Sequence, residues 1–201
     1  MTPRIGLIRH APTQWNLDKR IQGRQDIPLC PWGRELALAW AGQLSGLGIE
    51  GIVASPMKRA RETGRILGRA LNLDMVSLPG LAEQHFGTWE GKTLAEIRTA
   101  DPGELHGQEQ KGWNFTPHGG ESRLQVLARA LAAINALPVQ KLLVITHYSV
   151  IKALIYHGLG LDYMPGKGVE IQPFHLHWFT PERVVPNALA LDSGTCKAGT
   201  K

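Results

Sequence analysis

The chain has 201 residues, a length that fits one compact domain and is short for two. Hydrophobic residues make up 43% of it and charged residues 19%, a composition that excludes a disordered or fibrous chain. The formal net charge of +5 comes from dispersed basic residues, without the clustered stripe or interleaved aromatic residues of a nucleic-acid site. We therefore expect an anionic small molecule as the partner, and no nucleic acid.

Two features of the sequence concern its compartment. The first ten residues, MTPRIGLIRH, lack the apolar core of a secretion signal, and no stretch approaches the roughly 20 apolar residues of a membrane helix. Cys30 and Cys196 fit no metal-ligand spacing, and so few cysteines are typical of a reducing compartment. These features predict a cytoplasmic protein that does not bind a membrane.

Apolar runs alternate with amphipathic stretches along the chain. The apolar runs predict buried strands at 4–8, 51–54 and 141–146, and an alternating run predicts a strand nearer the edge of the sheet at 174–179. The amphipathic stretches predict helices at 32–47, 59–71, 121–137 and 149–156. This alternation favours an α/β fold, a three-layer α/β/α sandwich built on a mostly parallel sheet.

Residues 98–120 are rich in glycine, proline and polar residues, and they include Trp113 and Phe115. A long insertion of this kind often covers a binding site as a lid. The two aromatic side chains are equally compatible with covering a substrate and with anchoring the segment. We expect one domain over residues 1–192 with this lid-like insertion, followed by a flexible tail at 193–201.

Basic residues follow three of the predicted strands. Arg9 and His10 end the first strand, Arg59 comes shortly after the second, and His147 follows the third. Ligands of such sheets bind beyond the carboxyl ends of the strands, so we expect these side chains to converge. Neutral imidazole can act as a nucleophile, and the planar guanidinium group meets two phosphate oxygens at once. The pattern predicts a phosphoryl-transfer site that needs no metal and no cofactor.

The sequence around these residues resembles that of the histidine phosphatase superfamily, whose fold is shared with phosphoglycerate mutase. The similar segments are Leu7–Asn16, Gln22–Leu29 with Gly33, Ser55–Thr63, Leu81–Glu83 with Phe86–Gly91, Gly119–Ser122 and Val144–His147. They stand in the family order and span most of the chain. The resemblance therefore implies a phosphoglycerate mutase-like fold, within the short branch that includes broad-specificity and alpha-ribazole phosphatases.

The resemblance also implies roles for individual residues. His10 is the expected nucleophile, and Arg9, Arg59 and His147 complete the phosphate pocket. Glu83 is the expected general acid, which must be protonated when the substrate arrives and then acts as the base that activates water.

The same resemblance suggests which residues bind the rest of the substrate, and where alternatives remain. The substrate-binding candidates are Asn16, Gln22, Gly23 and Tyr148. Asn16 could instead cap a helix, and Glu90 is a rival to Glu83 as the acid. Ala11 and Tyr148 stand where the family usually has glycine, which is costly if either position needs a positive φ.

We expect a metal-independent phosphomonoesterase that acts on a small phosphorylated metabolite, and the family resemblance implies a homodimer. Two alternatives remain open at this stage. A phosphoglycerate mutase is less favoured because the stretch between Glu83 and Gly119 is short for enclosing a bisphosphorylated intermediate. A phospholigand-binding protein with decayed catalysis is suggested by Ala11 and Tyr148. The sequence does not identify the metabolite.

Overall fold

The computed structural model describes residues 4–138, 140–180 and 183–194. The strands within these ranges are β1 (Arg4–Arg9), β2 (Gly51–Ala54), β3 (Met75–Ser77), β4 (Lys141–Thr146), β5 (His175–Phe179) and β6 (Val184–Ala190). The helices are α1 (Gln14–Leu17), α2 (Pro31–Leu44), α3 (Lys58–Leu71), α4 (Leu94–Ala100), α5 (Pro102–Glu109), α6 (Arg123–Asn135) and α7 (Tyr148–Gly158). Short 3₁₀ turns occur at Ser45–Leu47, Pro79–Leu81, Gly87–Trp89 and Gly112–Asn114.

The strands form one sheet in the order β3-β2-β4-β1-β5-β6. The first four in that order run parallel, and β5 and β6 are antiparallel to their neighbours. Arg9 at the end of β1 lies opposite Thr146 at the end of β4, so the next residue of each strand emerges at the same edge. The expected α/β fold with a mostly parallel sheet is confirmed.

The sheet is covered on both faces because side chains alternate along its buried central strands. Leu142 and Val144 of β4 pack in the cluster that includes residues of α6 and α7. Leu143 and Ile145 pack in the opposite cluster, which includes residues of α2 and α3. This alternation produces the three expected layers.

The four predicted strands and four predicted helices are all present, with bounds that differ by at most two residues, except that the first of these helices ends three residues early and is followed by a 3₁₀ turn. The sequence did not indicate β3, which has three residues, or β6, which contains Pro186. Proline is tolerated in β6 because this strand lies at the edge of the sheet.

The segment around 98–120 is largely helical and has a small core of its own. Trp89, Ile97, Leu105 and Phe115 are buried together there, beneath α4 and α5. Phe115 packs edge-on against Trp89, with 5.5 Å between the ring centres. It therefore fixes the segment in place, and it also lines the main cavity.

Two other expectations meet the limits of the described ranges. Residues 195–201, including Cys196, lie outside them, as does most of the expected tail. Within those ranges, none of the helices has the length and apolar character needed to cross a membrane.

Candidate active site

The carboxyl ends of β1 and β4 bring two histidines together. The His10 backbone N–H donates to the Thr146 carbonyl at 3.0 Å, which continues the β1–β4 ladder by one residue. The ring centres of His10 and His147 are 5.2 Å apart. The structure thus places side by side two imidazoles that are 137 positions apart in the sequence.

The His10 ring has a defined tautomer. Its Nδ1 lies 2.8 Å from the Ala11 carbonyl oxygen, and because a carbonyl can only accept, Nδ1 carries the proton. Burial, followed by the charges of Arg9 and Arg59, holds the pKa of His10 well below its usual range. The ring is therefore neutral near pH 7, with its lone pair on Nε2, and it lines the main cavity.

His147 is fully buried beside it. Its Nε2 lies 2.7 Å from the Ser55 hydroxyl, while its Nδ1 has no hydrogen-bond partner within the described ranges. Burial and the neighbouring charge of Arg59 hold the pKa of His147 well below its usual range. The neutral ring thus has one unused nitrogen beside His10, although His147 itself is not among the residues that line the main cavity.

Arg59 is the second residue of α3, and it is fully buried although it lines the cavity. Its Nη1 and Nη2 donate to the carbonyls of Gln25 and Gly23, each at 2.8 Å. Burial lowers the pKa of Arg59 to about 10, against the opposing effect of Glu83. The side chain remains a cation at neutral pH, and two backbone carbonyls fix its plane.

Arg9 supplies a second cation to the same cavity. It is the last residue of β1, and its Nε has no hydrogen-bond partner in the described part of the chain. Burial lowers the pKa of Arg9, and the nearby charge of Glu83 opposes this effect. Two guanidinium groups therefore lie beside the neutral His10, which is a setting suited to a dianionic phosphoryl group.

Glu83 reaches the cavity from the turn after β3 and is nearly buried. Its carboxylate accepts the backbone N–H of Gln84 at 2.7 Å. Arg129 fixes this turn by donating to the carbonyls of Gly80, Ala82 and Glu83 at 2.7, 2.6 and 3.1 Å. The Glu83 carboxylate is thus held at the cavity wall by a rigid backbone.

Glu90, the rival acid, has a different environment. It accepts the backbone N–H groups of Arg24 at 2.8 Å and Phe86 at 3.1 Å. It also accepts the side-chain amide of Gln25 at 3.1 Å. Glu90 therefore connects two loops, and it is absent from the residues that line the main cavity.

Three of the four substrate-binding candidates line the main cavity: Gln22, Gly23 and Tyr148. Gln22 is buried, and its Oε1 has no partner among the described residues. Gly23 has a φ of +50°, and a Cβ at this position would collide with the Glu90 carboxylate. Tyr148 is the first residue of α7 and is 40% exposed, so its ring is accessible to a ligand.

Asn16 lies elsewhere. Its Oδ1 accepts both the backbone N–H and the hydroxyl of Thr13, each at 3.0 Å, in the capping box of α1. It lines a second cavity of about 240 Å³, which shares Arg9 and His10 with the main one. Asn16 therefore shares a cavity with Arg9 and His10 but not with Gln22, Gly23 and Tyr148, and its oxygen is already used as a helix cap.

The two replaced glycines cause no backbone strain. Non-glycine residues with a positive φ in the described ranges are Lys19, Asn72, Phe174 and Asn187. Ala11 is not among them; it is fully buried, and its N–H donates to the Thr63 hydroxyl at 3.0 Å. Tyr148 has ordinary helical backbone, so neither position requires glycine.

Sequence reasoning did not identify three residues that support the site: Ser55 at His147, Thr63 at Ala11 and Arg129 at the Glu83 turn. Ser55 and Thr63 lie inside a segment that was recognised, but nothing in it showed which side chain they contact. Arg129 is a helix residue of ordinary spacing, and its partners become visible only in the tertiary structure.

The main cavity has a volume of about 450 Å³. Beyond the residues above, it is lined by Phe115, Arg123, Lys152 and Tyr163. Over the described ranges, no three His, Cys, Asp or Glu side chains are grouped as a metal site would require. The arrangement offers a neutral imidazole, two arginines and a carboxylate around a single space.

Known proteins resemble this chain over most of its length. The family model of the histidine phosphatase superfamily (branch 1) matches residues 5–192. The glucosyl-3-phosphoglycerate phosphatase of Mycolicibacterium vanbaalenii is 34% identical over 170 residues, which are 79% of this chain and 75% of that protein. A solved structure, mycobacterial hydrolase 1, matches with a TM-score of 0.83 and 29% identity, over 94% of this chain and all of that one.

A second relative is much longer than this chain. The bifunctional protein Rv2228c of Mycobacterium tuberculosis is 38% identical over 171 residues, which are 83% of this chain and 46% of that protein. The chain thus spans about half the length of the curated relatives that, like Rv2228c, match it at 38% identity over 171 residues. Because the family model covers nearly all of the described residues, the chain belongs to the histidine phosphatase superfamily.

Proposed function

We propose that the chain is a metal-independent phosphomonoesterase that forms a phosphohistidine intermediate on His10. The observation that carries this proposal is the tautomer of His10. Its Nδ1–H is engaged by the Ala11 carbonyl, which leaves the lone pair on Nε2 in a ring that burial and two arginines keep neutral. A nucleophile that is already deprotonated needs no base for the first step.

In the first step, Nε2 of His10 attacks phosphorus and the bond to the ester oxygen breaks. Arg9 and Arg59 neutralise the equatorial oxygens, and His147 donates a further hydrogen bond through Nδ1. This last role requires the Ser55 hydroxyl to donate to Nε2 of His147, which places the ring proton on Nδ1. These cations provide the charge stabilisation that phosphoryl transfer needs, and they support a reaction without a metal.

Glu83 handles the protons. In its protonated form it gives its proton to the leaving alkoxide and becomes a carboxylate. In the second step, this carboxylate removes a proton from water as the water oxygen attacks the phosphohistidine. The products are the alcohol and inorganic phosphate, and both His10 and Glu83 return to their starting forms.

The substrate class follows from the relatives and the size of the cavity. Relatives include a phosphatase named for glucosyl-3-phosphoglycerate, which supports a small phosphorylated metabolite as the substrate. A cavity of about 450 Å³ is within the range of small-molecule sites. We further propose that residues 1–192 act as one domain; a cytoplasmic location and a homodimer remain predictions from the sequence.

The test is a phosphate-release assay on an aryl phosphate, with the purified chain in excess EDTA. We expect turnover that EDTA does not change, because the cations that stabilise the transition state are side chains. Loss of turnover with chelator, restored by a divalent metal, would contradict the proposal. Interconversion of the two monophosphoglycerates, measured in parallel, would show transfer to a second hydroxyl if the chain were a mutase.

A further inference from the structure

The wall of the main cavity contains a cation that the proposed reaction does not use. Arg123, the first residue of α6, lies between two aromatic rings, with its Cζ 4.0 Å from the Phe115 ring centre and 4.1 Å from that of Tyr163. Its Nη1 donates to the Gly112 carbonyl at 2.9 Å. Arg123 is therefore rigidly positioned, and stacking and backbone contacts hold it there.

A second cation lies beside it. The Lys152 ammonium is 4.7 Å from the Tyr163 ring centre and 5.0 Å from that of Tyr156. Lys152 is half-buried on α7 and lines the same cavity as Arg123 and His10. Burial and the charge of Arg123 lower the pKa of Lys152, so the two cations are close enough to repel each other.

Neither cation has a carboxylate at ion-pair distance among the described residues. Glu109 lines the same cavity, and its charge acts on both Arg123 and Lys152 from farther away. One distant carboxylate leaves an excess of positive charge at this wall. Half-buried positive charges without a carboxylate partner are only partly compensated by aromatic rings and a carbonyl, and an anionic group on a ligand would complete the compensation.

We propose that Arg123 and Lys152 form a second anion-binding site for the leaving group of the substrate. This inference rests on the proposed function, because the first anion is the phosphoryl group at His10. It narrows the substrate class to phosphate monoesters whose alcohol portion carries a further anionic group, a carboxylate or a second phosphate. Esters with a neutral alcohol portion would bind through the phosphoryl group without this contact.

The experiment compares three esters with one carbon skeleton: glycerol 3-phosphate, 3-phosphoglycerate and glycerol 1,3-bisphosphate. The first has a neutral end, the second a carboxylate and the third a second phosphate. We expect kcat/KM for at least one of the two anionic esters to exceed that of glycerol 3-phosphate by about tenfold or more, the effect of one charge-assisted contact. Whichever anionic ester is preferred identifies the source of the second anion.

The variant Lys152→Met keeps the aliphatic contacts with the tyrosine rings and removes the charge. We expect it to remove most of the preference for the anionic ester. Lys111→Met is the matched control, since Lys111 is exposed and does not line the cavity, and it loses the same unit of charge from the protein. The control is expected to retain the preference in full.

Glu109→Gln tests whether the preference for the anionic ester can be increased. Removing this carboxylate leaves the positive wall without its distant counter-charge, so the preference for the anionic ester is expected to increase. Equal kcat/KM for the three esters, or a preference that Lys152→Met leaves intact, would overturn the second site. Absence of hydrolysis for these esters and for an aryl phosphate would instead overturn the proposed function.

Discussion

Two groups of residues at and beside the main cavity are held in different ways. In the first group, which we call the phosphate end, Arg9 ends β1, His10 and His147 directly follow β1 and β4, and backbone carbonyls fix Arg59. The second group, which we call the leaving-group end after its proposed role, consists of Phe115, Arg123, Lys152 and Tyr163. Its residues come from the position after a 3₁₀ turn, from two helices and from a connecting loop, and aromatic rings contact its cations.

This difference indicates that the two groups have different roles. Sheet edges and backbone hydrogen bonds give little freedom, and under the proposed function the phosphate end would need that rigidity because the same tetrahedral group would enter in every reaction. Side chains on helices and loops can change without disturbing the sheet. The leaving-group end is therefore the part of the cavity that can adapt to a particular alcohol.

The largest loss of activity is expected when the proposed nucleophile at the phosphate end is removed. His10→Asn should lower kcat for an aryl phosphate by at least about 10⁴-fold, because the variant lacks the imidazole nitrogen that is proposed to attack phosphorus. Phosphate release measures the loss, and thermal unfolding checks that the variant folds. His106→Asn, at an exposed histidine, is the control that should keep full activity; a similar loss there, or substantial activity in His10→Asn, would contradict the assignment.

Arg59→Met tests whether the phosphate end depends on backbone contacts. The change leaves the carbonyls of Gln25 and Gly23 without their charged donor, so we expect a loss of about 3 kcal/mol in the free energy of unfolding. We also expect kcat/KM to fall by about 10²- to 10³-fold, since one phosphate cation is lost. Urea unfolding and phosphate release provide the measurements.

The control for that variant lies on the same helix. Arg65 is exposed, and Arg65→Met should change the unfolding free energy by less than about 0.5 kcal/mol. Equal effects of the two substitutions would show that Arg59 is an ordinary helix residue.

Glu83 and Glu90 are seven positions apart in the sequence, and substitutions of the two carboxylates should affect different properties, activity and stability. Glu83→Gln should lower kcat about 10²-fold or more for alkyl phosphates and much less for p-nitrophenyl phosphate, whose leaving group needs no proton. Glu90→Gln should lower the free energy of unfolding by about 1–2 kcal/mol, because the carboxylate accepts three hydrogen bonds. Its effect should not depend on the leaving group; the reverse pattern would exchange the two roles.

The effect of pH on activity should be smaller than the effects of these substitutions, and it tests whether the His10 ring is neutral. Its lowered pKa means that the folded ring stays neutral below pH 6.5, so nucleophilic activity should persist there. Profiles of kcat/KM, corrected for the second ionisation of the substrate, measure this. An acidic limb centred at pH 6.5 that belongs to His10 would contradict it.

The same shifts affect stability with a definite sign. Since His10 and His147 bind protons more readily when unfolded, their contribution to stability is present above about pH 6.5 and is lost as the pH falls below it. Unfolding midpoints in urea between pH 5 and 7 should therefore decrease toward acid. A constant midpoint over this range would argue against buried neutral rings.

The difference between the phosphate end and the leaving-group end also explains which residues of the site could be predicted from the sequence. The phosphate end was predictable because its residues follow strongly apolar strands whose ends must meet. Lys152 and Arg123 carried no such signal, because each reads as an ordinary helix residue. Ser55 contacts His147 across 92 positions, a pairing that depends on β2 and β4 being neighbours in the sheet.

Local signals were present for other elements and were outweighed. Thr93 and Glu96 form a capping box for α4, and Asp101 caps α5, yet the glycines and prolines around them favoured a long loop. Asn16 was assigned to the substrate by its family position, while its oxygen caps α1. Capping residues and ligand-binding residues are the same types, so contacts are needed to separate them.

The most direct measurement of the central claim is to trap the intermediate. The chain is mixed with a substrate labelled with ³²P, quenched in alkali within milliseconds, digested and analysed by mass spectrometry. We expect one labelled peptide with an acid-labile, alkali-stable phosphate on His10, formed as fast as turnover requires. Turnover without a phosphorylated protein, or with the label on another residue, would contradict a mechanism through His10.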